Sequence, residues 1–360
     1  MSNGLENVVA AETVLSDVDG LAGRLVIRGL PLDAIAGKLS FEDVLLRLWS
    51  GFFGDLPETL RPGLGAARAR VFEMLSGAFP SVADLSLFDA MRALLARLPD
   101  GDDLETALHL TAGPAVILPA LLRLEAGATP LPPDPTLGHA ADMLRMRSGD
   151  LPSAAESAGL DTYLVTVIDH GLNASTFTAR VVASTAAGLN SSVLAALGAL
   201  KGPLHGGAPG PVLDMLDAIA TPEAADAWIE AELKSGARLM GFGHRIYRVR
   251  DPRADALAGA LGRLKSGSRS NPRLALAEAI EAAALAALAR HKPDRKLETN
   301  VEFYTALLLE ALGFPREAFT AVFAAGRICG WIAHAREQAT TGRLIRPQSL
   351  YVGPDPQLAA

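Results

Sequence analysis

The sequence predicts an all-α protein, and three observations carry that expectation. Hydrophobic residues make up 49% of the 360 positions but aromatic residues only 5%, so Ala and Leu supply most of the apolar content. Both lose little side-chain entropy in a helix. From residue 137 onward apolar positions recur at helical spacing in almost every segment, and few segments alternate with the period of two that marks a strand.

In chain order, residues 12–28 are the one stretch with strand character, where VIR follows a Gly-containing turn. Ser40 is placed to cap a helix starting at Phe41, with Glu42 and Asp43 in its first turn. Phe41, Val44, Leu45, Leu48 and Trp49 then share one face. Pro130, Pro132, Pro133 and Pro135 mark a break. Helical patterns follow over 137–147, 153–158, 161–168, 175–199, 209–219, 223–236, 273–290, 301–313 and 315–338. SGSRSNP at 266–272 reads as an exposed loop before the Ala-rich helix Leu274–Arg290. No internal repeat of fixed period is visible.

A chain of this length holds one large core or two coupled domains. Its net charge is -7 and no Lys/Arg run stands out, which argues against a nucleic-acid partner. An anionic substrate would need local arginines acting against the global charge. The single cysteine, Cys329, forms no intramolecular disulfide and fits a small core position in a reducing compartment. The N-terminal residues lack the basic start and apolar centre of a signal peptide. Apolar runs such as VFAA and AVILPALLRL are short for a bilayer. These features predict a cytoplasmic protein with no membrane partner.

Three segments combine histidine with helix-breaking or capping residues: DHGLNAST (169–176), LKGPLHGGAPGP (200–211) and LMGFGHRIYRVRDPRA (239–254). Histidines at such places are more accessible than in a packed helix, and the two glycines after His205 let backbone approach a ligand closely. The competing explanation is a set of Gly-containing turns with satisfied histidines. HGGAPG lacks the GK[ST] of a phosphate loop, and no HExxH or cysteine pair suggests a metal site. Arg327 lies inside the apolar helix FTAVFAAGRICGWIAHA, where a charge is costly unless a ligand or a buried partner meets it. Arg245, Arg250 and Arg343 read instead as a solvated face. In TNVEFYTALLLEALGFP, Asn300 is placed to cap a helix, and Glu302 in its first turn needs no more explanation than the helix dipole.

Seven segments then share an order and spacing: GLENVVAAETVLSDVDGLAGRLVIRG, DHGLNASTFTARVVAST, LKGPLHGGAPGPVLDML, LMGFGHRIYRVRDPRA, NVEFYTALLL, GRICGWIAHAREQ and RLIRPQSLY. Together they resemble the citrate synthase family, in its short, acetyl-CoA-using bacterial type; residues 52–140 match poorly. The resemblance implies a two-domain helical fold. A large domain spans 1–214 and 324–360, and a small CoA-binding domain at 215–323 is inserted between its parts. It implies an enzyme that joins acetyl-CoA to oxaloacetate, releasing citrate and CoA, with no permanently bound cofactor and no metal. It also implies a homodimer with shared active sites.

Residue roles come from the same resemblance. His205 is similar to the histidine that polarises the thioester carbonyl, and Glu302 stands where the family has the base that removes the α-proton. His244 resembles the histidine that hydrogen-bonds and protonates the oxo-acid carbonyl. His170, Arg253 and Arg327 match ligands of oxaloacetate, and Arg346 matches an arginine contributed across the subunit interface. Leu239, Met240, Gly241, Phe242, Gly243 and Arg248 resemble the CoA-binding segment. His109, His139, His291 and His334 match no catalytic position and read as structural or surface residues. The departure is at 302, where the family motif NVDFY becomes NVEFY. Glu keeps the carboxylate but moves its oxygens by roughly an ångström, a distance that matters to a proton transfer. The alternatives are a 2-methylcitrate synthase using propionyl-CoA, a citryl-CoA-cleaving lyase, and a non-catalytic relative that binds CoA or a dicarboxylate.

Overall fold

A small antiparallel sheet opens the fold, where the Gly-containing turn predicts strands. The computed structural model describes residues 4–5, 8–205, 210–244, 246–265 and 272–354. The glycines after His205, Arg245 and most of the 266–272 loop lie outside the described residues. Strand β1 (Ser16–Asp19) pairs with β2 (Arg24–Ile27), with Ser16 opposite Ile27, and β2 pairs with β3 (Leu30–Pro31). Helices follow: α1 (Leu32–Ile35), α2 (Phe41–Trp49), α3 (Arg61–Leu75), α4 (Leu87–Leu95) and α5 (Leu104–Glu125). Next come α6 (His139–Ser148), α7 (Ala154–Val167), α8 (Ala174–Ala183), α9 (Leu189–Leu200) and α10 (Gly210–Ile219). The last are α11 (Ala225–Ser235), α12 (Pro252–Lys265), α13 (Pro272–His291), α14 (Val301–Ala311) and α15 (Phe319–Thr341).

Local chemistry explains the starts of these helices. Ser40 and Asp43 form a reciprocal capping box on α2. All five apolar residues of the predicted α2 face are at most 2% exposed. Asn300 caps α14 by accepting from the Glu302 N–H at 3.0 Å. Removing a cap of this kind typically costs about 1 kcal/mol.

Some expectations need correction. The patterns at 153–158 and 161–168 form one helix, α7, because packing against α12 and α15 carries the chain through Gly159. The pattern at 175–199 is two helices, divided where Ala186 and Gly188 take φ of 60° and 91°. Helix α12 and the run α3–α5 form outside the segments where the sequence predicts helices. Among the described residues two helices, α5 and the 26-residue stretch Arg316–Thr341, are long and apolar enough to cross a membrane by length and composition. Both are core helices here: 72% and 89% of their most apolar windows are buried inside the protein.

Helix α15 is the axis that positions the site. It packs against α2, α4, α5, α7, α8 and α9. A Cβ at Gly326 would lie 2.6 Å from a Val167 methyl, and one at Gly330 only 2.4 Å from the Ile168 carbonyl oxygen. Glycine at both positions lets α15 press on the C-terminal end of α7, bringing Arg327 beside the turn that carries His170. A buried polar chain fixes this corner. The Ser16 hydroxyl donates to Asp169 at 2.5 Å, His334 Nε2 sits 3.3 Å from Asp169, and Arg180 pairs with Glu337 at 2.6 Å. His334 is therefore structural, as is the buried His139 beside Arg68, while His291 pairs with Glu230 at the surface. Cys329 is buried in the core.

Candidate active site

Three turns and three helices converge on one cleft of about 240 Å³. It is lined by His170, His205, His244, Arg253, Glu302 and Arg327, together with Asn173, Leu204, Ile246, Thr320 and Phe323. The first six come from segments up to 157 residues apart in sequence, and the fold brings them together.

The DHG turn between α7 and α8 supplies His170. The Ser16 hydroxyl oxygen accepts from the Gly171 N–H at 2.9 Å, so a strand residue locks this turn. His170 Nε2 lies 3.1 Å from the Tyr247 hydroxyl. Burial, then the nearby charges of Arg253 and Arg327, hold its pKa well below the usual histidine range, so it is neutral at neutral pH.

His205 follows α9 and reaches the Ser175 hydroxyl, with Nε2 2.8 Å from Oγ. Ser175 Oγ also accepts from the Trp331 indole N–H at 3.2 Å and lies 2.8 Å from Asn173 Oδ1. A hydroxyl has one proton, which goes either to Asn173 or to His205 Nε2. The second arrangement leaves the imidazole N–H at Nδ1, which has no partner among the described residues. Burial, reinforced by Arg327, lowers the His205 pKa and keeps the ring neutral.

The GFG segment is held against the start of α14. Gly243 N–H donates to the Glu298 carbonyl at 2.7 Å and Asn300 N–H to the Gly241 carbonyl at 2.9 Å. Gly241 and Gly243 have φ of 85° and 79°, the left-handed region that favours glycine. His244 follows at once. Its Nδ1 accepts from the backbone N–H groups of Ile246 and Tyr247 at 3.0 and 3.1 Å, while Nε2 faces the Arg253 guanidinium at 3.1 Å. A neutral imidazole has one acceptor nitrogen, and donors here face two. Burial and Arg253 push the His244 pKa down to about 4, so protonation does not resolve the conflict at neutral pH. An acceptor entering between Nε2–H and the guanidinium would resolve it.

Two arginines face this point with different support. Arg253 is 5% exposed and makes a two-pronged pair with Asp251, Nε–Oδ1 3.0 Å and Nη2–Oδ2 2.8 Å. Arg327 is 2% exposed, stacks over the Phe323 ring at 4.7 Å and donates from Nε to the Val167 carbonyl at 2.6 Å. No carboxylate lies within ion-pair distance of Arg327 among the described residues. Burial lowers its pKa to about 10, so it stays charged. A buried, unpaired cation is costly unless a ligand supplies the anion.

Glu302, in the first turn of α14, lines the same cleft. Burial raises its pKa to about 7; Arg253 and Arg327 pull it down, and Asp251 pushes it up. A carboxylate tuned to that range is suited to take and return a proton near neutral pH.

Other predicted residues lie apart from the cleft. Leu239 and Phe242 are buried in the core and Arg248 is exposed, its N–H donating to the Gly20 carbonyl at 2.8 Å. Met240, Gly241 and Gly243 are part of the same supporting segment and do not line the cleft. Arg346 is exposed in the extended C-terminal tail. Arg250, expected on a solvated face, is corrected: it pairs with Asp255 at 2.5 Å and Glu281 at 3.1 Å. Arg343 is exposed, as expected. Sequence reasoning missed Ser16, Ser175, Asp251 and Trp331. Asp251 alone carried a signal, an acid two residues before an arginine at a Pro-initiated helix.

The family model described as citrate synthase, C-terminal domain, matches residues 4–348. The chain is 37% identical to putative citrate synthase 2 of Mycobacterium tuberculosis, covering 98% of this chain and 93% of the relative. It is 34% identical to the 2-methylcitrate synthase of the same organism, over 98% and 91% of the two chains. Among solved structures, citrate synthase from Thermoplasma acidophilum, in a ternary complex with carboxymethyl coenzyme A and oxaloacetate, superposes with a TM-score of 0.86. That match has 27% identity and covers 99% and 97% of the two chains. With its whole length matched in sequence and in fold, this chain belongs to the citrate synthase family.

Proposed function

We propose that the cleft condenses acetyl-CoA with oxaloacetate and water to give citrate and CoA. The observation that carries this reading is Arg327, a buried guanidinium without a carboxylate partner among the described residues, lining the same cleft as Arg253 and Glu302. A dicarboxylate with a central carbonyl answers each unmet demand. Its carboxylates pair with Arg253 and Arg327, and its ketone oxygen accepts from His244 Nε2–H, with His170 alongside.

The chemistry then follows from the remaining groups. The Glu302 carboxylate removes a proton from the acyl methyl group while His205, in the arrangement where its Nε2 accepts the Ser175 proton, donates from Nδ1–H to the developing enolate oxygen. The enolate carbon attacks the ketone carbon, and His244 gives its Nε2 proton to the new alkoxide. Water hydrolyses the resulting thioester, releasing citrate and CoA. Base and donor must flank the same acyl unit, because the methyl proton is weakly acidic and the enolate must be stabilised as it forms.

In this reading 239–243 and Arg248 contribute to CoA binding, and residues 215–323 form the smaller domain. The active form is a cytoplasmic homodimer in which Arg346 completes the neighbour's site. A second reading, condensation of propionyl-CoA to 2-methylcitrate, is favoured by the similarity to a relative of that name. A free-thiol release assay with acetyl-, propionyl- and butyryl-CoA, each with oxaloacetate and with each substrate omitted, tests both. Thiol release that requires oxaloacetate, and is fastest with acetyl-CoA, is the expected result. Fastest release with propionyl-CoA favours the second reading, and release independent of oxaloacetate refutes both.

A further inference from the structure

One carboxylate outside the cleft holds the turn that carries Glu302 from both sides. Glu281, on α13, is 14% exposed. It accepts from the Thr299 hydroxyl at 2.6 Å and from the Tyr304 hydroxyl at 2.5 Å. Thr299 precedes the Asn300 cap of α14, and Tyr304 lies two residues after Glu302. Thr299 and Tyr304 are 1% and 8% exposed, so water is a poor substitute for this acceptor. The third partner is Arg250, whose Nη1 donates to Glu281 at 3.1 Å. Arg250 leads directly into Asp251, and Asp251 holds Arg253 and also accepts from the Val301 N–H at 3.2 Å.

We infer that Glu281 is a positioning residue for the base: it fixes the first turn of α14 against the segment that carries His244 and Arg253. The inference rests on the proposed role of Glu302. Glu281 touches no substrate in this account. Its contribution is the placement of a carboxylate whose working tolerance is small, since a misplacement of about 1 Å can cost about 10²-fold in rate. Arg327 and His170 are held by α15 and the DHG turn, and Arg253 by its two-pronged pair with Asp251, through contacts that do not involve Glu281. Oxo-acid binding should therefore survive its loss better than turnover does.

The test compares wild type, Glu281→Ala and Tyr304→Phe as folded full-length proteins, by oxaloacetate-dependent thiol release and by calorimetric titration with oxaloacetate. Glu281→Ala is expected to lower kcat by roughly 10-fold or more and to leave the oxaloacetate Kd within about threefold. The acid limb of its kcat/KM–pH profile should move, because the base then sits in altered surroundings. A role in stability alone would lower the melting temperature and leave both the rate per folded molecule and the pH profile in place; that result overturns the inference while the proposed function stands. An inactive wild type overturns the proposed function and this inference with it. If Glu281→Ala does not fold, Tyr304→Phe decides: a kcat loss of roughly threefold or more with unchanged Kd supports the inference, and an unchanged kcat overturns it.

Discussion

Replacing Glu302 by Gln should abolish condensation and at the same time stabilise the protein, in a manner that depends on pH. The folded-state pKa lies at about 7 against an ordinary 4.5, chiefly because burial disfavours the charged form. Below the ordinary value the side chain is neutral in both folded and unfolded states and burial carries no ionic penalty. As pH rises through 4.5 the unfolded chain ionises first, so folding becomes progressively less favourable until the folded carboxyl also ionises near 7. At ~1.4 kcal/mol per factor of ten in proton affinity, the interval corresponds to about 3 kcal/mol lost by pH 8, taken as a ceiling. Gln has the same shape and no charge, so it escapes the penalty. Urea unfolding at pH 5 and pH 8 reads this directly: Glu302→Gln should gain up to about 3 kcal/mol on wild type at pH 8 and little at pH 5. The wild-type rate should fall about tenfold from pH 8 to pH 6 as the base is protonated. A Gln variant that is less stable than wild type at pH 8, or equally shifted at both pH values, would refute the account of a half-buried carboxylate tuned by desolvation.

Arg327→Met should raise the KM for oxaloacetate by roughly 10²-fold, through loss of a charge-assisted carboxylate contact, without destabilising the fold, since it removes an unpaired buried charge. Calorimetric titration and thermal melting check both halves. His205→Ala and His244→Ala should each lower kcat by about 10² to 10³-fold with smaller changes in KM, because both donate to charge that develops in the transition state; steady-state kinetics showing raised KM at normal kcat would count against these roles. Mixing inactive His205→Ala with inactive Arg346→Ala should restore part of the activity if sites are shared between subunits, whereas a fully active monomer at nanomolar concentration excludes sharing.

The legible parts of this protein were those with local causes. Ser40 and Asn300 announce α2 and α14 because a cap is a contact between residues two or three apart. Arg327 announces itself because a guanidinium in an apolar helix needs an explanation wherever the helix lies. His170, His205, His244, Arg253 and Arg327, drawn from separate segments, line one cleft, whereas Arg248 and Arg346 do not reach it. What sequence reading lost depends on distance. Ser16 locks the turn of His170 through Gly171, 155 positions away, and Glu281 meets Tyr304 from another helix, so neither leaves a local pattern. Arg250 looked solvated because its partners Asp255 and Glu281 lie five and 31 positions away. Helix α12 has no clear local signature because Gly259 and Gly262 weaken its pattern, and packing against α7 and α14 compensates for them.

The central claim is that Glu302 abstracts a proton from the acyl group so that a carbon–carbon bond forms. Acetyl-CoA labelled with carbon-13 at the methyl position, incubated with oxaloacetate and followed by nuclear magnetic resonance, tests it most directly. Wild type should move the label into a citrate methylene, one for each thiol released, and Glu302→Gln should move none. Label appearing in free acetate, or citrate formed at the wild-type rate by Glu302→Gln, would contradict the account.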